Sequence, residues 1–458
     1  MEIESRRVRV SALWTITIGA FLIPFMGSSI NIALPSIGKD FAMDAILLGW
    51  VTTSQLLAVA IFQVPFGRVA DIYGRKKVFL WGFIIFTFFS VLCAVTSSTF
   101  LFILFRVLQG IGASMTFSTG MAILMSLFPV DERGKVLGFN VAAVYTGLSC
   151  GPVLGGLLVH SLGWRSIFLV NLPVGLVIIL FILWKLKGEW TEAKGESFDL
   201  AGSVLYGAAL LGIIYGLSML PSASGGVSVL LGMVILFGFV RWEIRSGSPI
   251  LNIDLLRKNR VFAFSNLAAL INYSATFAVT FLLSLYLQYI KGLDPRQAGM
   301  ILIVQPVVMA IVSPFAGKLS DRIEPGWVAS AGMGLTAIGL LFFVFLNERT
   351  PELFIVINLV LIGFGFGLFS SPNTNAVMSS VEKRFYGVAS GTLGTMRVTG
   401  MMFSMGLVML LFSVYMGRTQ ITPAIYPLLI ISMRVAFGIF GGFCLIGILP
   451  SLSRGRVH

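Results

Sequence analysis

Apolar residues fall in long runs along this chain, and polar residues collect in the short segments between them. Fourteen runs can be marked, near residues 11–35, 46–66, 78–96, 99–127, 136–160, 166–184, 200–219, 226–243, 261–290, 298–318, 327–346, 352–378, 388–416 and 428–450. Each approaches or exceeds the roughly 20 residues that an α-helix needs to cross the hydrocarbon core of a bilayer. In lipid every backbone amide must be satisfied internally, which leaves helices and closed barrels as spanning structures. A barrel would alternate apolar and polar positions over segments of about ten residues, and the runs show no such alternation. The pattern predicts an all-α integral membrane protein with 14 transmembrane helices. An internal echo divides it. Gly317-Lys318-Leu319-Ser320-Asp321-Arg322 follows the tenth run as Gly67-Arg68-Val69-Ala70-Asp71 follows the second. Two six-helix bundles are expected, at 1–184 and 261–458, with two extra linker helices in 185–260. Residues 250–260 mix apolar and charged positions in the manner of a helix lying at the membrane surface.

Charge gives the runs a direction. The chain has 458 residues, is 57% hydrophobic and only 11% charged, and carries a formal net charge of +13. A basic balance can signal nucleic-acid binding, but here the cations sit in the short connections. With the N-terminus inside, only Lys39, Arg165, Lys291, Arg296, Arg349 and Arg418 fall in outer segments. The other loop cations are all inner, as the positive-inside rule requires. The expectation is a cell-membrane protein with both termini cytoplasmic and no nucleic-acid partner. Cys93, Cys150 and Cys444 all lie in apolar runs and form neither a disulfide framework nor a metal spacing. Arg6, Arg7 and Arg9 precede a first run long enough to span, with no small-residue cleavage site.

Between the second and third runs lies Gly67-Arg68-Val69-Ala70-Asp71-Ile72-Tyr73-Gly74-Arg75-Lys76-Lys77. Its glycines suit a sharp reversal between two close helices, and its basic cluster marks the cytoplasmic side. A tight turn with a topogenic charge cluster would explain the cations but not the spacing G-x-x-x-D-x-x-G-R-K-K. That spacing resembles the loop between the second and third helices of the major facilitator superfamily. The resemblance implies the major facilitator fold and a conformational latch made by Gly67, Asp71, Gly74, Arg75, Lys76 and Lys77. Asp71 is expected to face the positive N-terminal end of the thirteenth helix near Gly387–Ser390 in the outward-open state.

The fourth run holds Arg106-Val107-Leu108-Gln109-Gly110-Ile111-Gly112-Ala113. An arginine inside the membrane needs partners and marks a functional candidate; snorkelling, or a role in tying helices together, is the alternative. R-x-x-Q-G-x-G-x-A resembles the superfamily's fourth-helix motif. In the fifth run Gly147, Gly151, Pro152, Gly155 and Gly156 form G-x-x-x-G-P-x-x-G-G. Such small-residue spacing allows close helix packing, and it resembles the antiporter-type motif of the same superfamily. Trp164-Arg165-Ser166-Ile167-Phe168-Leu169-Val170-Asn171-Leu172-Pro173-Val174-Gly175 looks like the fourteen-span drug:proton antiporter family, the multidrug and quaternary-ammonium exporters. Membership implies secondary active export of small amphiphilic compounds by alternating access, coupled to protons. A monomer without cofactor or metal is expected, and not an enzyme, since the chain shows no phosphate-cradling glycine loop with lysine, no metal spacing and no nucleophile elbow.

One departure stands out. Family members place an acid ahead of N-x-A-[LI]-P in the first helix; Asn31-Ile32-Ala33-Leu34-Pro35 is present, but the acid's place holds Met26. No carboxylate falls at mid-membrane in this reading, leaving Asp40, Asp44 or Asp199 for coupling only if the spans are shifted. The central polar candidates are Arg106, Gln109, Asn31, Gln55, Gln305 and Arg397. Met396, Met401, Met402, Met405 and Met409 near Arg397 could form an adaptable surface or simply fill the core. Without a carboxylate to meet a cation, a neutral or anionic amphiphile is the expected cargo. The alternatives are export of one physiological solute or lipid without carboxylate-based proton coupling, and a non-transporting sensor, for which the loops are short.

Overall fold

The computed structural model describes residues 2–129, 132–186, 188–247, 250–251, 253–382 and 386–455. Lys187, Lys383, Arg384, Arg456 and His458, and the carboxylate Asp131, lie outside the described residues. Among the described residues, fourteen helices are long and apolar enough to cross a membrane. In order they are Val8–Asp40, Ala45–Tyr73, Arg75–Val95, Thr99–Leu127, Gly138–Leu162, Arg165–Lys185, Leu200–Met219, Ala223–Glu243, Arg260–Ile290, Pro295–Ser320, Pro325–Phe345, Glu352–Ser379, Tyr386–Tyr415 and Pro423–Ser453, called spans 1 to 14 here. They match the fourteen apolar runs one for one. Residues Ile253–Lys258, within the stretch expected to be a surface helix, form a short helix.

Polar side chains set several of the helix starts. Asp44 accepts the Leu47 amide at 2.7 Å, Asp199 accepts that of Gly202 at 2.8 Å, and Asn259 accepts that of Phe262 at 2.9 Å. Asp294 and Gln297 form a reciprocal capping box at the start of span 10. Each such cap satisfies an amide that the helix cannot.

The internal echo extends into packing. A methyl group at Gly110 in span 4 would lie 2.5 Å from the Gln55 carbonyl oxygen of span 2. One at Gly363 in span 12 would lie 2.5 Å from the Gln305 carbonyl oxygen of span 10. Gly82 on Gly112 and Gly332 on Gly365 repeat the pairing for spans 3/4 and 11/12. Each bundle thus brings the same helices into backbone contact, which only glycine permits.

Spans 7 and 8 form a tight hairpin, in which Gly216 and Gly232 each meet the opposing backbone. The hairpin lies against both bundles. Tyr206, Leu210, Ile214 and Phe239 pack with Leu57 and Ala60 of span 2 and with Met402 and Met409 of span 13. Met402, Met405 and Met409 are fully buried, so three of the five span 13 methionines fill the core.

Candidate functional site

Span 1 carries Met26 at the position where an acid was expected, and it is fully buried. Two amides converge on its sulfur: Gln109 Nε2 at 3.2 Å and Asn171 Nδ2 at 3.0 Å. Gln109 also donates to Ser90 Oγ at 2.6 Å and accepts from Arg106 at 2.5 Å. Arg106 has no exposed surface. Its Nε donates to the Val51 carbonyl at 3.0 Å, and its guanidinium carbon lies 5.9 Å from the Phe168 ring centre. Spans 1, 2, 3, 4 and 6 therefore share a sealed polar knot inside the N-terminal bundle, with a thioether in place of a counter-charge. Gln55, also buried, lends its backbone to the Gly110 contact beside this knot.

Arg397 in span 13 is only partly buried. It donates to Thr374 Oγ1 of span 12 at 2.6 Å and lies 5.6 Å from the ring centre of Tyr273 in span 9. Its Nε is buried without a hydrogen-bond partner, and no carboxylate is recorded in an ion pair with it among the described residues. Beside it, Tyr273, Met309, Phe366 and Met401 cluster with Tyr145 and Leu148 of span 5. Tyr273 and Phe366 meet edge to face at 5.3 Å. Tyr145 crosses between the bundles to within 2.8 Å of Ser370 Oγ. Gln305, in span 10, is partly buried on the helix that carries Met309.

The two bundles join at the end opposite the Gly67–Lys77 loop. Pro35 has no amide hydrogen, so the Asn31 carbonyl four residues back loses its helical donor. Ser284 of span 9 supplies one instead, at 2.5 Å, and Gln288 donates to the next carbonyl, Ile32, at 3.0 Å. The Asn31 side chain meets Thr52 at 3.4 Å. Pro152 likewise frees the Leu148 carbonyl, which Ser28 takes at 3.0 Å. Gly147, Gly151 and Gly155 seat span 5 on the span 1 backbone and serines, whereas a methyl group at Gly156 would run into the Pro295 carbonyl of the other bundle. Gly299 returns the contact, since a methyl group there would run into the Pro152 carbonyl. At the loop end, by contrast, none of the described residues lies within 4 Å of where a side chain would begin at Gly138, Gly387 or Gly391. Phe139 and Val141 in the same part of span 5 are exposed.

The loop itself turns at Gly74, whose φ of 121° favours glycine. Asp71 accepts from Arg75 at 2.7 Å and does not turn toward Gly387–Ser390 in this conformation. Arg75 is buried and also reaches Ser126 Oγ at 2.5 Å and Glu192 at 2.6 Å. Backbone bonds join Arg75 to the Trp190 carbonyl and Ala193 to the Asp71 carbonyl, both at 3.0 Å. Glu189 accepts the Lys76 amide at 2.8 Å, and Glu196 pairs with Arg68. Gly67 lies near Ser118, and Lys77 is exposed. The partner of this loop is thus the linker between spans 6 and 7, which sequence reasoning missed. The three glutamates there, opposite a basic loop, were the available signal.

The fallback carboxylates have structural work. Asp40 holds Trp164 Nε1 at 3.0 Å and pairs with Arg165, while Asp44 and Asp199 cap helices. Among the described residues every carboxylate lies outside the spans or within a few residues of a span end. Arg454, also missed, is buried just beyond span 14 and donates to Asn373 at 3.0 Å and Ser265 at 3.1 Å. Burial pushes its guanidinium down to about 10.

Known proteins bear on this arrangement. The family model described as Major Facilitator Superfamily matches residues 16–405 and 265–456. The riboflavin transporter RibZ of Clostridioides difficile is 30% identical over 437 residues, 95% of each chain. The multidrug resistance protein Stp of Mycobacterium tuberculosis is 31% identical over 402 residues, covering 86% of this chain and 74% of that one. Among solved structures, a bacterial homolog of the human lysosomal transporter Spinster superposes with a TM-score of 0.71 at 14% identity. That match covers 98% of this chain and 97% of the other.

Proposed function

Starting from the chain's membership of the Major Facilitator Superfamily, we propose that it exports small amphiphilic compounds across the cell membrane by alternating access. The basic loops face the cytoplasm, both termini lie there, and a monomer is the working unit. One observation carries this reading. The bundles are joined through Ser284, Gln288, Gly156 and Gly299 at one end, while a cluster built from both bundles sits at mid-depth beside Arg397. A site shared between two rocking halves is what alternating access requires. Drug-like cargo is supported by the likeness to Stp, and a planar aromatic cargo by the likeness to RibZ.

Resemblance favours proton coupling, which needs a group that changes protonation within the pathway. Met26 in the acid's place favours a second reading, export without carboxylate-based coupling. Flux in proteoliposomes tests both. Purified protein should move members of a panel of cationic, neutral and anionic amphiphiles. An imposed pH gradient then separates the readings: coupled export follows it, and uncoupled export does not. Failure to move any member of the panel would refute the export proposal.

A further inference from the structure

The Arg397 cluster has a chemistry of its own. A guanidinium is always charged, and keeping one partly out of water without a counter-charge is costly. Arg397 has one hydroxyl partner, one aromatic face and an unused buried Nε donor. Next to it lie two buried aromatic rings at right angles, the buried thioether of Met309 and the partly buried one of Met401, an apolar and polarizable environment suited to a flat ring. The Tyr145 hydroxyl reaches the same place from the opposite bundle. Arg106 offers no such opening, because all its neighbours enclose it.

We propose that Arg397 and the Tyr145–Tyr273–Phe366 cluster form a binding site for an aromatic anion, carboxylate against the guanidinium and ring against the cluster. This rests on the transport reading and narrows its substrate class. It also supplies a driving force that needs no membrane carboxylate. An interior-negative potential of about 100 mV favours exit of a single negative charge by roughly fiftyfold.

Three naphthalene probes of one shape and different charge test the site: 2-naphthoate, 2-naphthamide and 2-naphthylmethylammonium. Equilibrium dialysis of the purified full chain should show naphthoate bound about tenfold or more tighter than the ammonium compound. Arg397→Gln should weaken naphthoate by about tenfold and leave naphthamide within about twofold. Arg397→Lys, which keeps the charge, should fall between. Tightest binding of the ammonium compound, or an equal loss of all three probes in Arg397→Gln, overturns the site, as does an unchanged naphthoate affinity. In vesicles, naphthoate efflux should follow an imposed potassium–valinomycin potential with no pH gradient. Efflux indifferent to voltage overturns the driving force. Binding without any flux leaves the site standing and refutes the export reading instead, so the two failures are separable.

Discussion

The N-terminal bundle encloses Arg106, and the C-terminal bundle leaves Arg397 within reach. Arg106 spends its donors on Gln109 and the Val51 carbonyl with no surface exposed. Among the described residues Arg397 meets Thr374 and a tyrosine face, at a place where both bundles contribute side chains. The helices around them are packed alike, since Gly110 on Gln55 and Gly363 on Gln305 are the same contact in each bundle. The two arginines lie in spans that are not counterparts, 4 and 13, so the difference comes from where each sits and from the side chains it meets there. It separates a cation that holds a bundle together from one that is free to meet a ligand.

The sharpest break of this comparison is Arg106→Ala against Arg397→Ala. The first leaves Gln109 and the Val51 carbonyl short of a donor and opens a void, and should cost about 2–5 kcal/mol of stability. The second should cost under about 1 kcal/mol, because surface and cavity side chains contribute little to folding. Thermal unfolding in detergent reads both, and equal losses would erase the distinction. Next in size is Gly156→Ala, whose methyl would run into the Pro295 carbonyl oxygen. Overpacking of about 1–3 kcal/mol should push the joined end apart. Thiol labelling of a cysteine placed near Asn31 should then speed up, while the Arg106 knot stays intact.

Ser284→Ala removes the donor that Pro35 denies to Asn31, worth about 0.5–1.5 kcal/mol. It should shift the same labelling in the same direction by less. Glu192→Gln is expected to have the smallest effect, because that carboxylate is 64% exposed and such pairs contribute roughly 0.2–1 kcal/mol. Asp71→Asn sits deeper in the same set of bonds and should lower flux more than Glu192→Gln, with membrane insertion unchanged. Wild-type flux in Asp71→Asn would remove the loop from the mechanism.

Much of this was legible along the chain. Met26 was recognisable as a missing acid from its distance to Asn31–Pro35, and the structure adds the two amides that meet its sulfur. The Gly67–Lys77 loop was recognisable from its spacing, but its attachment to Glu189, Glu192 and Glu196 was not. Those acids lie more than a hundred residues away, and no periodicity links them to the loop. Arg106 and Arg397 could be picked out as cations within apolar runs, yet nothing in their neighbours along the chain shows which is enclosed. The methionines near Arg397 left open an adaptable surface or core filling, and packing divided them, with Met402 and Met409 against the hairpin of spans 7 and 8 and Met401 in the cluster.

Local order along the chain was enough for the helices, their number and the duplication, because each span must satisfy lipid through its own residues. Proline and glycine positions likewise announced where a helix would yield a carbonyl or accept a neighbour. Which hydroxyl takes the Asn31 carbonyl, which linker holds Arg75 and which arginine stays open were decided by packing between segments far apart in the chain. Those choices depend on how the helices lean on one another, and a pattern read in one dimension carries no record of that.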